Sequence, residues 1–214
     1  MQQWRARGVT KDMRRTSAKD KHPHTGLFIP DSGVRELIAQ SKRTRVDSAG
    51  LLAFLQSIAA QWPRERVVFL CIGSDRSTGD ALGPLVGDVL TARGWPQVRG
   101  TLAAPCDADS LGAMLKTLPS EHLVIAVDAC LGRAGSVGSF LVADGPLRPA
   151  QATGTAELPD VGHYSIAAVV NEQGAKPYHT LQTTSLHAVM RMAGELAEAI
   201  CAAWPQHTNL QNSR

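Results

Sequence analysis

Residues 66–84 read RVVFLCIGSDRSTGDALGP. The first eight are an apolar run closed by a glycine, the pattern of a strand covered on both faces. Residues 73–80 are small, polar or charged and form a long turn. From Asp80 the text DALGPLVGDVLTARG turns helical. Strand, turn and helix in that order make one α/β unit, and the alternation continues outward. VRGTLAAP reads as a second strand, DADSLGAMLKTLP as helical and HLVIAVDAC as a third strand; SVGSFLVAD and YSIAAVVN are further strands. A closing helix from about Thr184 to Ala203 places Leu186, Val189, Met190, Ala193, Leu196, Ala197 and Ile200 on one apolar stripe. The expected fold is α/β, a three-layer α/β/α domain with a mostly parallel central sheet. A right-handed crossover sets the first strand beside the third, in the order 2-1-3.

Outside this core the composition changes. Residues 1–45 hold 11 Lys/Arg and 4 Asp/Glu, a charge of +7, whereas residues 46–214 hold 11 and 15, a charge of −4. The net +3 therefore describes a basic arm, and the folded part gives no reason to expect nucleic-acid binding. Aromatic residues at 5% argue the same way, since single strands are bound on aromatic platforms. Residues 1 to about 30 lack periodicity and are expected to be mobile or superficial. Asp31 or Ser32 is placed to cap a short helix over Val34–Ser41, and Ser48 another over Leu51–Gln61, ended by Pro63. The expected organisation is an arm over 1–45, one catalytic-type domain over 46–205 and a tail over 206–214. No apolar stretch approaches membrane-spanning length, and the first residues lack the apolar run of a signal peptide. A cytoplasmic protein without membrane contact is expected. Cys71, Cys106, Cys130 and Cys201 show no metal-ligand spacing, which favours reduced thiols and no structural zinc.

In open α/β sheets, binding residues gather at the carboxyl ends of strands. The turn Gly73–Asp80 and the segment Asp128-Ala129-Cys130 occupy such ends, so Asp80 and Asp128 can face one cleft. Two close carboxylates do not ionise together easily; one keeps a proton, which suits amide hydrolysis. The structural alternatives are that Asp80 caps the following helix and Asp128 holds the following turn. Gly73, Gly79 and Gly83 meet neither nucleotide fingerprint, lacking both GxGxxG and a GKS or GKT, so a backbone role is favoured over phosphate binding. Cys71 and Cys130 read as small buried hydrophobes. His163, His179 and His187 share no ligand spacing and read as surface residues, although a loop carrying His163 or His179 can reach the dyad. Ser74, Asp75 and Thr183 are the candidate substrate-binding residues, with Gln182, Thr184 and Ser185 as helix-start chemistry beside them.

Residues 71–87, CIGSDRSTGDALGPLVG, strongly resemble the YyaC-like sporulation proteins of endospore-forming bacteria. The resemblance runs over about residues 64–203 and includes Val127–Gly132, Ser136–Ser139, Ala143–Leu147, Glu157–Pro159 and Leu186–Met190. More distantly, residues 80–84 and Asp128-Ala129 look like the segments carrying the two essential aspartates of the spore germination protease. That protease and the hydrogenase maturation endopeptidases share a phosphorylase/hydrogenase-like fold. The resemblance implies a sporulation-associated endopeptidase hydrolysing a protein or peptide through Asp80 and Asp128, in the forespore or spore core. The alternative is an inactive binding or assembly protein on the same fold. In the hydrogenase enzymes the matching acids and a later histidine are similar to a nickel-recognising trio, and Leu181 falls where that histidine would stand. No cofactor and no bound metal are therefore expected.

Overall fold

The computed structural model describes residues 43–149 and 158–205. The helix expected over Val34–Ser41, like most of the basic arm and the tail, lies outside the described residues.

Among the described residues six strands form one sheet: β1 (Thr44–Val46), β2 (Val67–Cys71), β3 (Val98–Arg99), β4 (Leu123–Gly132), β5 (Phe140–Ala143) and β6 (Tyr164–Glu172). Their order is β1-β5-β6-β4-β2-β3. β3, β2, β4 and β6 run parallel, while β5 is antiparallel to β6 and to β1. The first strand read from the sequence is β2, and it lies between the second and third as expected. All five of its residues are buried. β1 brings Thr44 and Arg45 into the sheet, two residues that composition alone assigns to the arm.

The helices are α1 (Ser48–Ala59), α2 (Leu82–Ala92), α3 (Leu111–Leu115), α4 (Pro177–Gln182) and α5 (Leu186–Ala203). On one face of the sheet α1, α2 and α5 pack over Phe69, Ile125, Val127, Phe140 and Ile166. On the other, Leu111 of α3 and Leu118, Leu147 and Val161 cover Val68, Leu70, Val124 and Ala126. Three layers result. The sheet pole where the parallel strands begin is held by Phe69, Trp95 and Trp204, each pair edge-to-face, with the indole N–H groups donating to the Val67 and Trp62 carbonyls.

Several boundaries differ from the sequence reading for identifiable reasons. α1 is capped by Asp47, whose Oδ1 accepts the Gly50 N–H at 2.9 Å, rather than by Ser48, and it ends at Ala59. The second strand shrinks to Val98–Arg99 because Gly100 turns at φ +86° against the Cys71 carbonyl. On α5 the buried stripe is Val189, Met192, Ala193, Leu196, Ala197 and Ile200; Leu186 and Met190, assigned to it by periodicity, are each 55% exposed. Ser185 caps this helix, accepting the Ala188 N–H. α4 has no counterpart in the sequence reading.

Candidate active site

The turn after β2 is fixed by close backbone approaches. Gly73 has φ +130°, and a Cβ there would lie 2.0 Å from the Asp80 carbonyl oxygen; one at Gly83 would lie 2.0 Å from that of Ile72. Only glycine permits such contacts. These glycines fold the turn back on itself and bring Asp80 beside Ser74. The Asp80 Oδ2 accepts the Ser74 N–H at 2.8 Å and, at 3.4 Å, the Ser74 hydroxyl. Asp80 is thus not the cap of α2, which starts after Ala81 with no side-chain cap bond. The capping alternative is thereby corrected.

Asp128 stands one residue beyond the register pair Cys71–Val127 that ends the β2–β4 ladder. It does not end its own strand, which continues to Gly132 with an irregularity between Cys130 and Leu131. By strand alternation it projects on the α3 face, in line with Val124 and Ala126. It is 9% exposed, and its Oδ1 accepts the Ala129 N–H at 2.7 Å. The shorter neighbouring strand leaves this carboxylate at the step in the sheet edge where the turn 73–80 arrives.

Both acids are perturbed in the same direction. Burial raises the Asp80 pKa above the ordinary carboxylate value, opposed by the Ser74 amide and hydroxyl and by the positive charge of Arg76. Burial also pushes Asp128 well above that value, and the charge of Asp80 adds to the rise, against the Ala129 amide and Arg43. The pair is therefore electrostatically coupled. Asp80 accepts two hydrogen bonds from Ser74 and Asp128 one from Ala129, and Asp128, the more deeply buried, is the more strongly raised.

Around the pair the structure adds residues that the sequence reading passed over. Arg76 donates to Asp107 and, through Nε at 3.4 Å, to the Ser74 hydroxyl. Burial acts to raise the Asp107 pKa, but the Ser110 hydroxyl and amide and the Arg76 charge outweigh it and hold Asp107 below the usual range. The signal in the sequence was faint, since Asp107 and Ser110 look only like helix-start residues. Of the candidate substrate-binding residues, Ser74 is buried at the site and Asp75 is exposed on the same turn. The Thr183 hydroxyl donates to the His179 carbonyl at 2.9 Å, closing α4.

Leu181 packs directly on this turn: its carbonyl accepts the Gly79 N–H at 2.8 Å, and a Cβ on Gly79 would meet its side chain at 2.8 Å. An apolar residue therefore occupies the flank of the Asp80 loop. His163 is at the opposite pole, its Nδ1 accepting the Val124 N–H at 3.0 Å near the start of β4, and burial lowers its pKa. His179 and His187 are exposed. Among the described residues, no three or more His, Cys, Asp or Glu side chains are grouped as metal ligands would be. Cys71 is fully buried and Cys130 half-buried, with burial and the neighbouring Asp128 charge pushing the Cys130 thiol up to about 11. Neither has the depressed pKa of a nucleophilic thiol.

Residues 41–199 match the family described as protein of unknown function, DUF1256. The chain belongs to this family. It is 39% identical over 180 residues to the uncharacterized protein YyaC of Bacillus subtilis, an alignment covering 82% of this chain and 86% of that one. Among solved structures it is similar to the [NiFe] hydrogenase maturation protease HycI of Thermococcus kodakarensis. That match has 22% identity, a TM-score of 0.49, and covers 72% of this chain and 99% of the other. The maturation protease HybD of the same organism matches with 15% identity and a TM-score of 0.41, covering 62% and 95%. Among the described residues, no helix is long and apolar enough to cross a membrane.

Proposed function

We propose that the chain is an endopeptidase that hydrolyses a protein substrate with Asp80 and Asp128, acting in sporulation as the family resemblance implies. The observation that carries this reading is the coupled pair itself. A half-buried carboxylate on the turn after β2 and a buried one on the neighbouring parallel strand β4 both have raised pKa values, and the charge of Asp80 raises Asp128 further. A pair of this kind holds one proton between two groups, the state required to act as base and acid in one step.

In the proposed reaction, ionised Asp80 takes a proton from water as the water oxygen bonds to the scissile carbonyl carbon. Protonated Asp128 donates to the carbonyl oxygen, giving a neutral tetrahedral diol. On collapse the carbon–nitrogen bond breaks, the proton held by Asp80 passes to the leaving nitrogen, and Asp128 recovers its own from the diol hydroxyl. The products are a carboxylic acid and an amine, and both aspartates return to their starting states. Ser74 orients Asp80 by two hydrogen bonds. Asp75, and the backbone around Thr183 at the end of α4, are assigned to the walls of the cleft. General acid–base assistance of this kind contributes about 10²–10⁴-fold per group.

The test is a comparison of new peptide termini, across the whole proteome, in sporulating cells carrying the wild-type protein or Asp128→Asn. Termini present only with the wild type are expected. Identical sets in the two strains would remove the peptidase reading.

A further inference from the structure

We infer that the carboxylates around Asp80 and Asp128 form a docking surface for the chain's own basic segment, residues 5–21, which covers the candidate active site when seated. The inference rests on the peptidase reading only in calling the covered site catalytic.

The site stands on the acidic half of its pole. Asp75, Asp80, Asp107, Asp109 and Asp128 gather there from the turn after β2, the segment before α3, and β4. The cation among them is Arg76, which is bonded to Asp107. Five negative charges and one positive leave −4, or −3 while Asp128 holds its proton. Of the cations on neighbouring elements, Arg99 turns back to Gln97 and the Val98 carbonyl, and Lys116 lies past the far end of α3. Arg45, Arg133, Lys176 and Arg191 belong to the segments around β1, β5, β6 and α5, where Glu172 and Glu195 accompany them. Asp75 and Asp109 are exposed, and neither has an ionic partner among the described residues. Carboxylates gathered in this way repel one another, and a cationic partner relieves the repulsion.

Asp128 supplies a second, independent observation. It is 9% exposed, and its Oδ2 has no hydrogen-bond partner among the described residues. Polar groups buried to this degree are as a rule hydrogen-bonded. At the step in the sheet edge, this one is presented to an incoming N–H.

The occupant follows from charge and from where the arm joins the fold. Residues 5–21 read RARGVTKDMRRTSAKDK, with 7 Lys/Arg and 2 Asp, a charge of +5 that complements the surface. Thr44 pairs with Val142, Val142 with Ile166 and Ile166 with Val127. The arm therefore joins the sheet level with the residue before Asp128. Arg43, directly before β1, already acts on the site: its charge favours the ionised forms of Asp128 and of the Cys130 thiol. Residues 22–42 connect the basic block to it. At about 3.3 Å per residue they reach about 70 Å, against about 24 Å across the six strands. A segment of the same chain is presented at a high effective concentration, so several exposed ion pairs, each weak, suffice to seat it.

A water-soluble carbodiimide tests the placement on the full chain at low salt. It condenses a carboxylate with a lysine amine to an amide, taking up the water lost and becoming a urea. Mass spectrometry is expected to find Lys11, Lys19 or Lys21 joined to Asp75 or Asp109, about tenfold more often than in about 0.5 M NaCl, where exposed charges are screened. Mixing ¹⁵N-labelled and unlabelled chains shows where each link arises. Links within one chain are expected; links between chains would give the surface to a second copy and overturn the inference, as would equally frequent links to Glu65, Glu121 and Glu198 at the opposite pole. Trypsin gives a second readout. Cleavage after Arg14 and Arg15 should be about tenfold slower in the full chain than in a free peptide of residues 5–21, and Asp75→Asn with Asp109→Asn should restore about threefold or more of that rate. An arm cut as fast as the free peptide, or protection unaltered in the double variant with a native circular dichroism spectrum, would likewise overturn it. Neither readout depends on cleavage by this protein, so identical peptide termini in the two sporulating strains would remove the peptidase reading alone.

Discussion

The Asp80 carboxylate reaches back six residues to the Ser74 amide, at 2.8 Å, and leaves the helix that begins at Leu82 without a side-chain cap. A missing cap costs about 1 kcal/mol, so the chain forgoes local stability to hold this carboxylate in place. Asp80→Asn keeps the size and can still accept the Ser74 N–H, but it removes the base. In the proposed reaction it should lower cleavage by about 10³-fold or more while the melting temperature is held or raised. Single-turnover cleavage of a substrate found by the terminus comparison, read beside a thermal melt, checks both outcomes.

Asp128 titrates above its unfolded value, so the folded state holds a proton that the unfolded chain releases earlier. Stability therefore falls as pH rises from the unfolded carboxylate range toward the folded pKa, and the whole penalty is present above that pKa. Asp128→Asn removes the penalty. The variant should be more stable than wild type at pH 8, by about 1–3 kcal/mol for a buried group that is only partly hydrogen-bonded. The difference should shrink to nothing near pH 3. Urea melts at a series of pH values measure it, and a gain that grows toward acid pH would show the sign to be wrong.

Glycine positions give a graded series for the turn geometry. Gly83→Ala forces a Cβ to 2.0 Å from the Ile72 carbonyl oxygen, between two segments of backbone that have little room to separate. A loss of about 3 kcal/mol or more is expected, at the severe end of single substitutions. Gly194→Ala, in the middle of α5 with no other part of the described residues within 4 Å of the added Cβ, should instead stabilise by about 0.4–1 kcal/mol. Equal effects of the two in chemical denaturation would contradict the close approach at Gly83.

Much of this fold was legible because its central strands are continuous apolar runs. VVFLC and LVIAV have no other stable place than a covered parallel sheet, and their order followed from crossover handedness. The step that exposes Asp128 was not legible. It depends on β2 ending at Cys71 while β4 continues to Gly132, a difference in strand length that periodicity does not encode. Periodicity also placed Leu186 and Met190 in the core, since a stripe read from sequence does not reveal where the neighbouring sheet stops covering it. Arg76 and Asp107 were passed over for a related reason. Their pairing joins turns 31 residues apart, and neither residue type is distinctive alone.

Ser77 offers a test of the turn that leaves the aspartates untouched. Its hydroxyl oxygen is buried and has no hydrogen-bond partner among the described residues. A buried polar group without a partner costs about 1–3 kcal/mol, so Ser77→Ala should be neutral or stabilising. A clear loss in the denaturation midpoint would mean that this hydroxyl has a partner in solution.

Cys130 supplies a reporter of the Asp128 charge. Burial comes first in raising this thiol to about 11, and the negative charge of Asp128 adds to it. Only the thiolate reacts with iodoacetamide, so the labelling rate follows its population. Where Asp128 is protonated, its replacement by Asn changes no charge, and the wild type and Asp128→Asn should label Cys130 at nearly the same rate. Above the Asp128 pKa the wild type carries a negative charge beside the thiol, and the variant should label faster, by about 3–10-fold, corresponding to a shift of up to about one pKa unit. The pH at which the two rates part is then the titration of Asp128 in the folded protein. Mass spectrometry separates Cys130 from the other three cysteines. A rate ratio already raised at about pH 5 and constant to pH 9 would show Asp128 ionised throughout that interval, and would remove the raised pKa on which its role as the acid depends.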